Sequence, residues 1–551
     1  MSMRLIGFAF LALLGASDHA AAQERAVVEP AQRAAEPASP ATPAPATVER
    51  PATRKSGTVI AEPNAQPAAP PRLVEEKPVS AKRRLSIGGR ELAYTATLAS
   101  MLLKSDEPKD GAAQGEKPRA RVVFTSYTLD DAKPADRPII FAWNGGPGSA
   151  SFYLHVGFMG PKRAILTDDG RSPPPPGGLV TNDETLLRFA DLVFIDPVGT
   201  GFSRVAPGEK SDRFYDTAAD VEQVADLVQD YVTRNGRWES PKFLAGESYG
   251  AMRLAKAANV LQRNRGMLLN GLIVISGAMN YQVLSLVPGN DTPYPLFLPS
   301  YAAAAWYHKK VTPAHQGKPL RQFLDEVETF ARGDYQSMLF KGALATPEER
   351  ASVRKRLADM TGLSETYLDE AALRPKPGAF FKQLLRAERK IIGRYDSRIT
   401  AAEPDPTAAT FAPFDPTDAQ IVGPYRTAIE MVWRDEIGYR GDSTYNLSAP
   451  SRGQWNFDAK NRYLDGMPDL QQAMLYNGSL KLFVAEGYFD LATAYAGVDY
   501  LLDHMIDPDG SIKTRTSVKR YGGGHMLYTV TSERQALSSD LGAFISSAVK
   551  R

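Results

Sequence analysis

The sequence predicts a doubly wound α/β fold, with a mostly parallel central sheet and a mostly helical segment inserted between two of its strands. Three observations predict it. Several short runs are apolar at every position, which is typical of strands buried on both faces of a parallel sheet. These runs alternate with amphipathic helical segments. The alternation stops at about residues 281–470 and then resumes.

The strands are predicted in chain order from period-two alternation and from the continuous apolar runs. A Gly-Gly turn at residues 88–89 joins two alternating strands into a hairpin over residues 85–97. Further strands are predicted at residues 121–127, 138–143, 191–196, 271–276, 480–485 and 514–521, and another short strand is predicted to begin at Phe243. Helices are predicted at 218–234, from about Ala251, at 494–504 and at 532–549.

The inserted segment, at about residues 281–470, has helical patterns broken by prolines, for example at 320–333, 347–360 and 377–392. Open α/β sheets bind ligands at the carboxyl ends of their strands. We therefore expect the insertion to form a helical cap over that edge.

The first 82 residues are expected to lie outside the folded domain. A short basic start, an apolar run at residues 5–14 and the small residues 20–22 predict a signal peptide over residues 1–22. Residues 23–82 are dominated by Ala, Pro, Glu and Arg and contain no aromatic residue, so a disordered linker is predicted. The folded domain then covers residues 83–551, and an exported protein, periplasmic or secreted in a bacterium, is expected.

Composition excludes several classes of function. The chain has 65 basic and 63 acidic residues and a formal net charge of +2, so no nucleic-acid partner is expected. It has no cysteine, which excludes disulfides, cysteine catalysis and thiolate metal sites. No metal-binding spacing, phosphate loop or dinucleotide motif is found, so neither a metal nor a cofactor is expected. No membrane span is expected after signal cleavage.

A candidate nucleophile lies at residues 246–250, Gly-Glu-Ser-Tyr-Gly, between the strand from Phe243 and the helix expected near Ala251. A serine on such a sharp strand-to-helix turn has its hydroxyl pushed out of the sheet, and the glycines leave room for the tight backbone path. Ser248 is therefore the predicted nucleophile.

An activated serine needs a base and a carboxylate that orients the base. Of the six histidines, His525 follows a glycine run after the last strand, where its ring can reach over the sheet. Asp490 lies just beyond the preceding strand, which gives the order Ser, acid, His. Glu486 is the alternative acid, since it is nearer the strand end, and N-capping of the following helix is the alternative role for Asp490.

The oxyanion of the reaction needs preorganised N–H donors. The N–H of Tyr249, directly after the nucleophile, is one expected donor. The other is expected from the Gly145-Gly146 loop, and Gly146 is favoured. His525 would take the proton of Ser248, and water would hydrolyse the acyl-enzyme.

At these residues the sequence resembles the serine carboxypeptidases, particularly their bacterial members. The matching blocks are Asn-Gly-Gly-Pro-Gly at 144–148, Phe-Ile-Asp-Pro-Val-Gly-Thr-Gly-Phe-Ser at 194–203, Gly-Glu-Ser-Tyr at 246–249 and Gly-His-Met at 524–526. The resemblance implies an α/β-hydrolase fold with a helical insertion. It also implies release of C-terminal residues from peptides with a free C-terminus, favoured at acidic pH.

The resemblance further implies that Asn144 and Glu247 hold the terminal carboxylate of the substrate. Glu247 can do so only when it carries or shares a proton, because two carboxylates repel. Activity is therefore expected to fall as pH rises through the pKa of Glu247. The family usually pairs this glutamate with a second one, but the matching position here is Phe158.

The departure at Phe158 keeps two other functions open. An esterase or acyltransferase would use the same triad without a site for a terminal carboxylate. A non-catalytic binding protein on a hydrolase fold is the third reading, and the retained Ser248, Asp490 and His525 argue against it.

Overall fold

A computed structural model describes residues 73–106, 115–408, 414–449, 455–457 and 459–550. The predicted signal peptide, and the predicted linker as far as residue 72, lie outside these residues. No helix among the described residues has the length and apolar character needed to cross a membrane.

The structure contains a central ten-stranded sheet and two small two-stranded sheets. The strands are β1 Val79–Ile87, β2 Arg90–Ser105, β3 Lys117–Leu129, β4 Ile139–Trp143, β5 Lys162–Ala164, β6 Leu179–Thr181, β7 Asp191–Asp196, β8 Arg204–Val205, β9 Lys242–Glu247, β10 Gly271–Ile275, β11 Lys390–Ile392, β12 Thr400–Ala402, β13 Lys481–Gly487 and β14 Thr516–Tyr521.

The central sheet has the order β1-β2-β3-β7-β4-β9-β10-β13-β14, with β8 paired to β3. Neighbours from β7 to β14 pair in parallel, while β1, β2 and β3 form an antiparallel edge. The parallel part requires a crossover between each pair of strands, and those crossovers bring helices to both faces.

The α-helices follow the strands in the alternation that the sequence predicts. They are α1 Phe152–Leu154, α2 Thr217–Arg234, α3 Tyr249–Arg265, α4 Pro293–Tyr307, α5 Pro313–Gln316, α6 Leu320–Phe330, α7 Gln336–Lys341, α8 Pro347–Thr361, α9 Glu365–Glu370, α10 Pro377–Gln383, α11 Pro416–Met431, α12 Met467–Tyr476, α13 Tyr495–Asp503, α14 Ser511–Thr514 and α15 Thr531–Val549.

The continuous apolar strands are buried on both faces. In β4, Ile140 and Ala142 belong to one core cluster, while Phe141 and Trp143 belong to the cluster on the opposite face. Helices α2, α3 and α12 cover the second face, and α15 packs on the first. This double burial explains why the strands show no polar alternation.

The segment between β10 and β13 is mostly helical and has its own apolar cluster, built from α4 and α6–α10. The expected helix at 377–392 is wrong in its second half. Helix α10 ends at Gln383, and Lys390–Ile392 pairs with Thr400–Ala402 as a small hairpin. Arg389 has a φ of +53°. That left-handed residue turns the chain before the buried pair Ile391 and Ile392.

The start of the fold also differs from the expected boundary at residue 83. Strand β1 begins at Val79, which pairs with Leu98 of β2. Only Leu85 of this edge strand is buried, and the strand is rich in basic residues, so its composition is close to that of the preceding linker. Strand β2 continues to Ser105, beyond the hairpin predicted to end at residue 97.

Candidate active site

The predicted nucleophile lies at the turn between β9 and α3. Ser248 has φ +59° and ψ −128°, and α3 begins at the next residue, two residues before the expected start at Ala251. A Cβ at Gly246 would lie 2.2 Å from the carbonyl oxygen of Gly250, so only glycine fits beside this turn. Such a strained backbone is held in place by its surroundings, here by the bond from the Ser248 N–H to the Ile275 carbonyl at 3.0 Å.

The structure brings the predicted base and acid together. His525 Nδ1 lies 2.7 Å from Asp490 Oδ2, and both side chains are buried. The N–H groups of Ala492 and Thr493 donate to Asp490 Oδ1 at 2.7 and 3.0 Å. Asp490 thus orders the turn after β13, whereas α13 starts only at Tyr495. In the neutral ring, an Nδ1–H donated to Asp490 leaves Nε2 free to accept a proton.

Glu486, the alternative acid, does not contact His525. It is fully buried, and its Oε1 accepts a 3.4 Å contact from the Gly277 N–H. Burial, together with the nearby charge of Asp490, raises the pKa of Glu486 well above its usual value. This shift favours the neutral carboxyl group, which stabilises an imidazolium less well than a carboxylate does.

A threonine that belongs to no motif in the sequence contacts both Asp490 and His525. Thr493 Oγ1 lies 2.7 Å from Asp490 Oδ2 and 3.1 Å from His525 Nδ1. Ser276 Oγ donates to the carbonyl of His525 at 2.7 Å, which fixes the loop. Burial lowers the pKa of His525, but the charge of Asp490 and its hydrogen bond outweigh that effect, so the net shift is upward.

The two expected oxyanion donors lie on adjacent loops. A Cβ at Gly145 would lie 2.5 Å from the backbone nitrogen of Tyr249, so the loop after β4 passes directly against the start of α3. Gly146 follows with φ +106°. Both glycines and Tyr249 line the same cavity as Ser248. The free N–H groups at the start of a helix favour negative charge there.

Asn144 and Glu247 form a buried pair beside Ser248. Asn144 Nδ2 donates to Glu247 Oε1 at 2.8 Å, and Asn144 Oδ1 accepts from the Leu154 N–H at 3.1 Å. The carbonyl of Asn144 accepts from Arg253 Nη1 at 2.8 Å, and Arg253 Nε in turn donates to the buried Asp220 at 2.8 Å. Neither Arg253 nor Asp220 belongs to a motif that could be recognised in the sequence.

A tyrosine contacts the second carboxyl oxygen of Glu247. Tyr528 donates to Glu247 Oε2 at 2.5 Å and is fully buried. The ring of Phe158 stacks on Tyr528, with centroids 5.5 Å apart and planes at 14°. Tyr528 was missed, although it stands three residues after His525; the sequence carries no signal for its contact with Glu247.

The environment of Glu247 favours its protonated form. Burial raises the pKa of Glu247 to about 7, against the opposing effects of His525 and of the hydrogen bonds from Tyr528 and Asn144. At pH values below about 7, this carboxyl group therefore carries a proton that it can donate.

These side chains surround one cavity of about 430 Å³ at the carboxyl ends of the parallel strands. Its wall includes Asn144, Gly145, Gly146, Glu247, Ser248, Tyr249, Tyr281, Arg394, Asp418, Thr493, His525 and Met526. The cavity combines a serine on a strained turn, a histidine paired with a carboxylate, and backbone donors. Such a site can transfer an acyl group through a covalent intermediate. No group of three potential metal ligands occurs within the described part of the chain.

Comparison with known proteins supports the family expectation over part of the chain. Residues 113–315 match the family model described as "Serine carboxypeptidase". The pheromone-processing carboxypeptidase KEX1 of Yarrowia lipolytica is 30% identical over 155 residues, which are 27% of this chain and 23% of that protein. Serine carboxypeptidase-like 9 of Arabidopsis thaliana is 25% identical over 160 residues, 28% of this chain and 34% of that protein. The chain thus spans about a third or less of the length of these curated relatives.

A solved structure confirms the α/β-hydrolase fold over most of the chain. The prohormone-processing carboxypeptidase KEX1(delta)p from Saccharomyces cerevisiae superimposes with a TM-score of 0.50. The match covers 82% of this chain and 91% of the KEX1 chain at 16% sequence identity. The fold of the two proteins is therefore similar well beyond residues 113–315, the region that the family model matches.

Proposed function

Because residues 113–315 belong to the serine carboxypeptidase family, we propose that this chain is a serine carboxypeptidase that hydrolyses C-terminal residues from peptides. The observation that carries the proposal is a protonatable carboxyl group, Glu247, held by Asn144 directly beside Ser248. A neutral acid and an amide N–H are suitable donors to the carboxylate at the end of a peptide.

The reaction begins with attack of Ser248 Oγ on the last peptide carbonyl. His525 Nε2 accepts the serine proton, and Asp490 stabilises the imidazolium that forms. The N–H groups of Gly146 and Tyr249 donate to the oxyanion. His525 then returns the proton to the departing amino group, and water hydrolyses the acyl-enzyme with His525 as base.

Substrate selection depends on Glu247 in its protonated state. The Asn144 amide and the Glu247 carboxyl both line the cavity that holds Ser248. A terminal carboxylate bound between them would place the last peptide bond within reach of the nucleophile. The partner is then a peptide with a free C-terminus.

An esterase or acyltransferase is the second candidate, and one observation favours it. Both oxygens of Glu247 already accept hydrogen bonds, from Asn144 and Tyr528. Phe158 supplies no second carboxyl group. Glu247 must therefore donate its own proton to the terminal carboxylate of a peptide, although both of its oxygens are already hydrogen-bonded. A simple ester makes no such demand. A non-catalytic binding protein remains the third candidate.

One experiment separates these functions. N-blocked dipeptides with a free C-terminal carboxylate are compared with their C-terminal amides and with simple esters, for the wild type and for Ser248→Ala. A preference for the free acids that Ser248→Ala abolishes is the expected result. Turnover of esters alone would establish the second candidate, and absence of Ser248-dependent turnover the third.

The proposed location is outside the cytoplasm, periplasmic or secreted in a bacterium. It is supported by the basic and apolar start and the small residues at 20–22. N-terminal sequencing of the mature protein should find Gln23 as the first residue. A mature protein that still begins at Met1 would contradict export by this route.

A further inference from the structure

Arg394 brings a positive charge to the wall of the active-site cavity. It is the one lysine or arginine among the described residues that line this cavity, and it is exposed. Its guanidinium lies 5.1 Å from the ring centroid of its neighbour Tyr395. Within the described part of the chain, no acidic side chain forms an ion pair with it. The charge is therefore available to a ligand in the cavity.

The backbone fixes Arg394 beside the loops that follow β13 and β14. The carbonyl of Arg394 accepts from the Leu491 N–H at 3.0 Å, and the carbonyl of Tyr395 accepts from the His525 N–H at 2.5 Å. The charge also reaches the catalytic side of the cavity. Burial raises the pKa of Tyr281 to about 12, and the charge of Arg394 opposes that rise. The same charge opposes the net rise in the pKa of His525.

The sheet order places Asn144 on one side of the nucleophile and the loop that contacts Arg394 on the other. Ser248 follows β9, which lies between β4 and β10. Asn144 follows β4, on one side. Tyr281 follows β10 and Leu491 follows β13, on the other side. If the terminal carboxylate is bound at Asn144, the residue on the amino side of the scissile bond extends toward β10 and β13.

We propose that Arg394 selects peptides with an acidic side chain on the residue that forms the acyl-enzyme. This inference rests on the proposed carboxypeptidase function and specifies its substrate class. A carboxylate on that residue pairs with the guanidinium through charge-assisted hydrogen bonds. Asp418, in the first turn of α11, also lines the cavity, and the Arg394 N–H donates to Asp415, the N-cap of the same helix, at 2.8 Å. Because the cavity carries charges of both signs, the test compares acidic, neutral and basic side chains on the substrate.

The test uses three N-blocked dipeptides that share one C-terminal residue and carry Glu, Gln or Lys before it. Measurements at about pH 6 keep the substrate glutamate ionised. The wild type is expected to show kcat/KM for the Glu peptide roughly fivefold above that for the Gln peptide, with the Lys peptide lowest. The ratio should fall to about one in Arg394→Gln and be partly kept in Arg394→Lys. Arg386→Gln, an exposed arginine of the same inserted segment, is the matched control and should keep the wild-type ratio.

Two results would overturn the inference. One is equal turnover of the Glu and Gln peptides by the wild type. The other is an equal loss on both peptides in Arg394→Gln, which would indicate a role at the terminal carboxylate or in the fold. If no peptide is cleaved at all, the proposed function fails first, and the comparison passes to p-nitrophenyl esters of N-blocked Glu and Gln. Faster hydrolysis of the Glu ester would support the role of Arg394, and equal rates would overturn it.

Discussion

The hydroxyl of Tyr528 donates to Glu247 Oε2 at 2.5 Å, and this bond joins the loop after the proposed catalytic base to the residue before the proposed nucleophile. A donor to the charged form of a carboxyl group lowers its pKa, and Tyr528 has that effect on Glu247. A second carboxylate in the same place would raise the pKa instead. Tyr528 therefore holds Glu247 in place and opposes the rise in its pKa.

Tyr528→Phe should weaken the use of free-acid substrates. The variant keeps the ring that stacks on Phe158 but removes the donor to Glu247. We expect a loss of roughly tenfold in kcat/KM for a free-acid peptide, about the free energy of one hydrogen bond. The alkaline limb of the pH profile should also move to higher pH, because the pKa of Glu247 rises. Tyr335→Phe removes a buried hydroxyl that donates to Leu373 in the inserted segment, and it should change neither property.

The pH profile on free-acid peptides should be bell-shaped. Glu247 is protonated below about pH 7, so binding of a terminal carboxylate is present there and is lost as pH rises through about 7. His525 must be neutral to act as base, and its raised pKa makes activity fall on the acid side. The pH range of activity is thus set by Glu247 and His525, which both line the cavity.

Glu247→Gln separates the two limbs. The amide keeps a hydrogen-bond donor at every pH, so the alkaline limb should disappear while the acid limb stays. Simple esters, which have no carboxylate to bind, should lack the alkaline limb even in the wild type. If Glu247→Gln keeps that limb on free-acid peptides, Glu247 is not the group that titrates there.

Asp490→Asn should cost about 10³- to 10⁴-fold in kcat, because an asparagine neither stabilises the imidazolium nor selects the neutral tautomer that leaves Nε2 free. Glu486→Gln is the matched control. Glu486 is buried, its raised pKa favours the neutral form, and it makes no hydrogen bond to His525, so the amide should preserve most of the activity. If Glu486→Gln abolishes turnover and Asp490→Asn does not, the assignment of the acid is wrong.

The sequence was informative where chemistry follows from local order. Strand, turn and helix around Ser248 predicted a serine at the edge of the sheet, and few histidines left His525 as the base. The contacts of Tyr528, Thr493 and Arg253 could not be predicted in the same way. Tyr528 and Glu247 are 281 residues apart, and no periodicity carries such a pairing. Those residues meet only because parallel strands bring their carboxyl ends to one edge.

Short elements in the inserted segment could not be predicted from sequence patterns either. The apolar residues near 391 continued the helical period of α10, so one helix was expected to run to 392. The structure buries Ile391 and Ile392 in a two-stranded hairpin instead. A run of a few apolar residues fits a strand and a helix equally well, and tertiary packing decides between them.

Arg253→Met should destabilise the fold by about 3–5 kcal/mol, because it leaves the carboxylate of Asp220 buried without its partner. The double variant Arg253→Met/Asp220→Leu should regain much of that loss, since no uncompensated charge remains. Urea unfolding monitored by circular dichroism gives the free energies of unfolding. Arg354→Met removes an exposed ion pair with Glu365 and should have little effect on the unfolding free energy. If Arg253→Met and Arg354→Met lose equal free energy of unfolding, the buried pair does not have the proposed role.

Gly246→Ala should damage the turn that presents Ser248. The added Cβ would lie 2.2 Å from the carbonyl oxygen of Gly250, closer than any nonbonded contact allows, so β9 and α3 must move apart. A displacement of about 1 Å at a nucleophile costs on the order of 100-fold in rate. We therefore expect at least that loss in kcat, measured on a simple ester to exclude effects of carboxylate binding. Gly478→Ala meets no atom within 4 Å and should keep wild-type kcat. An active Gly246→Ala enzyme would mean that the turn can relax without moving Ser248.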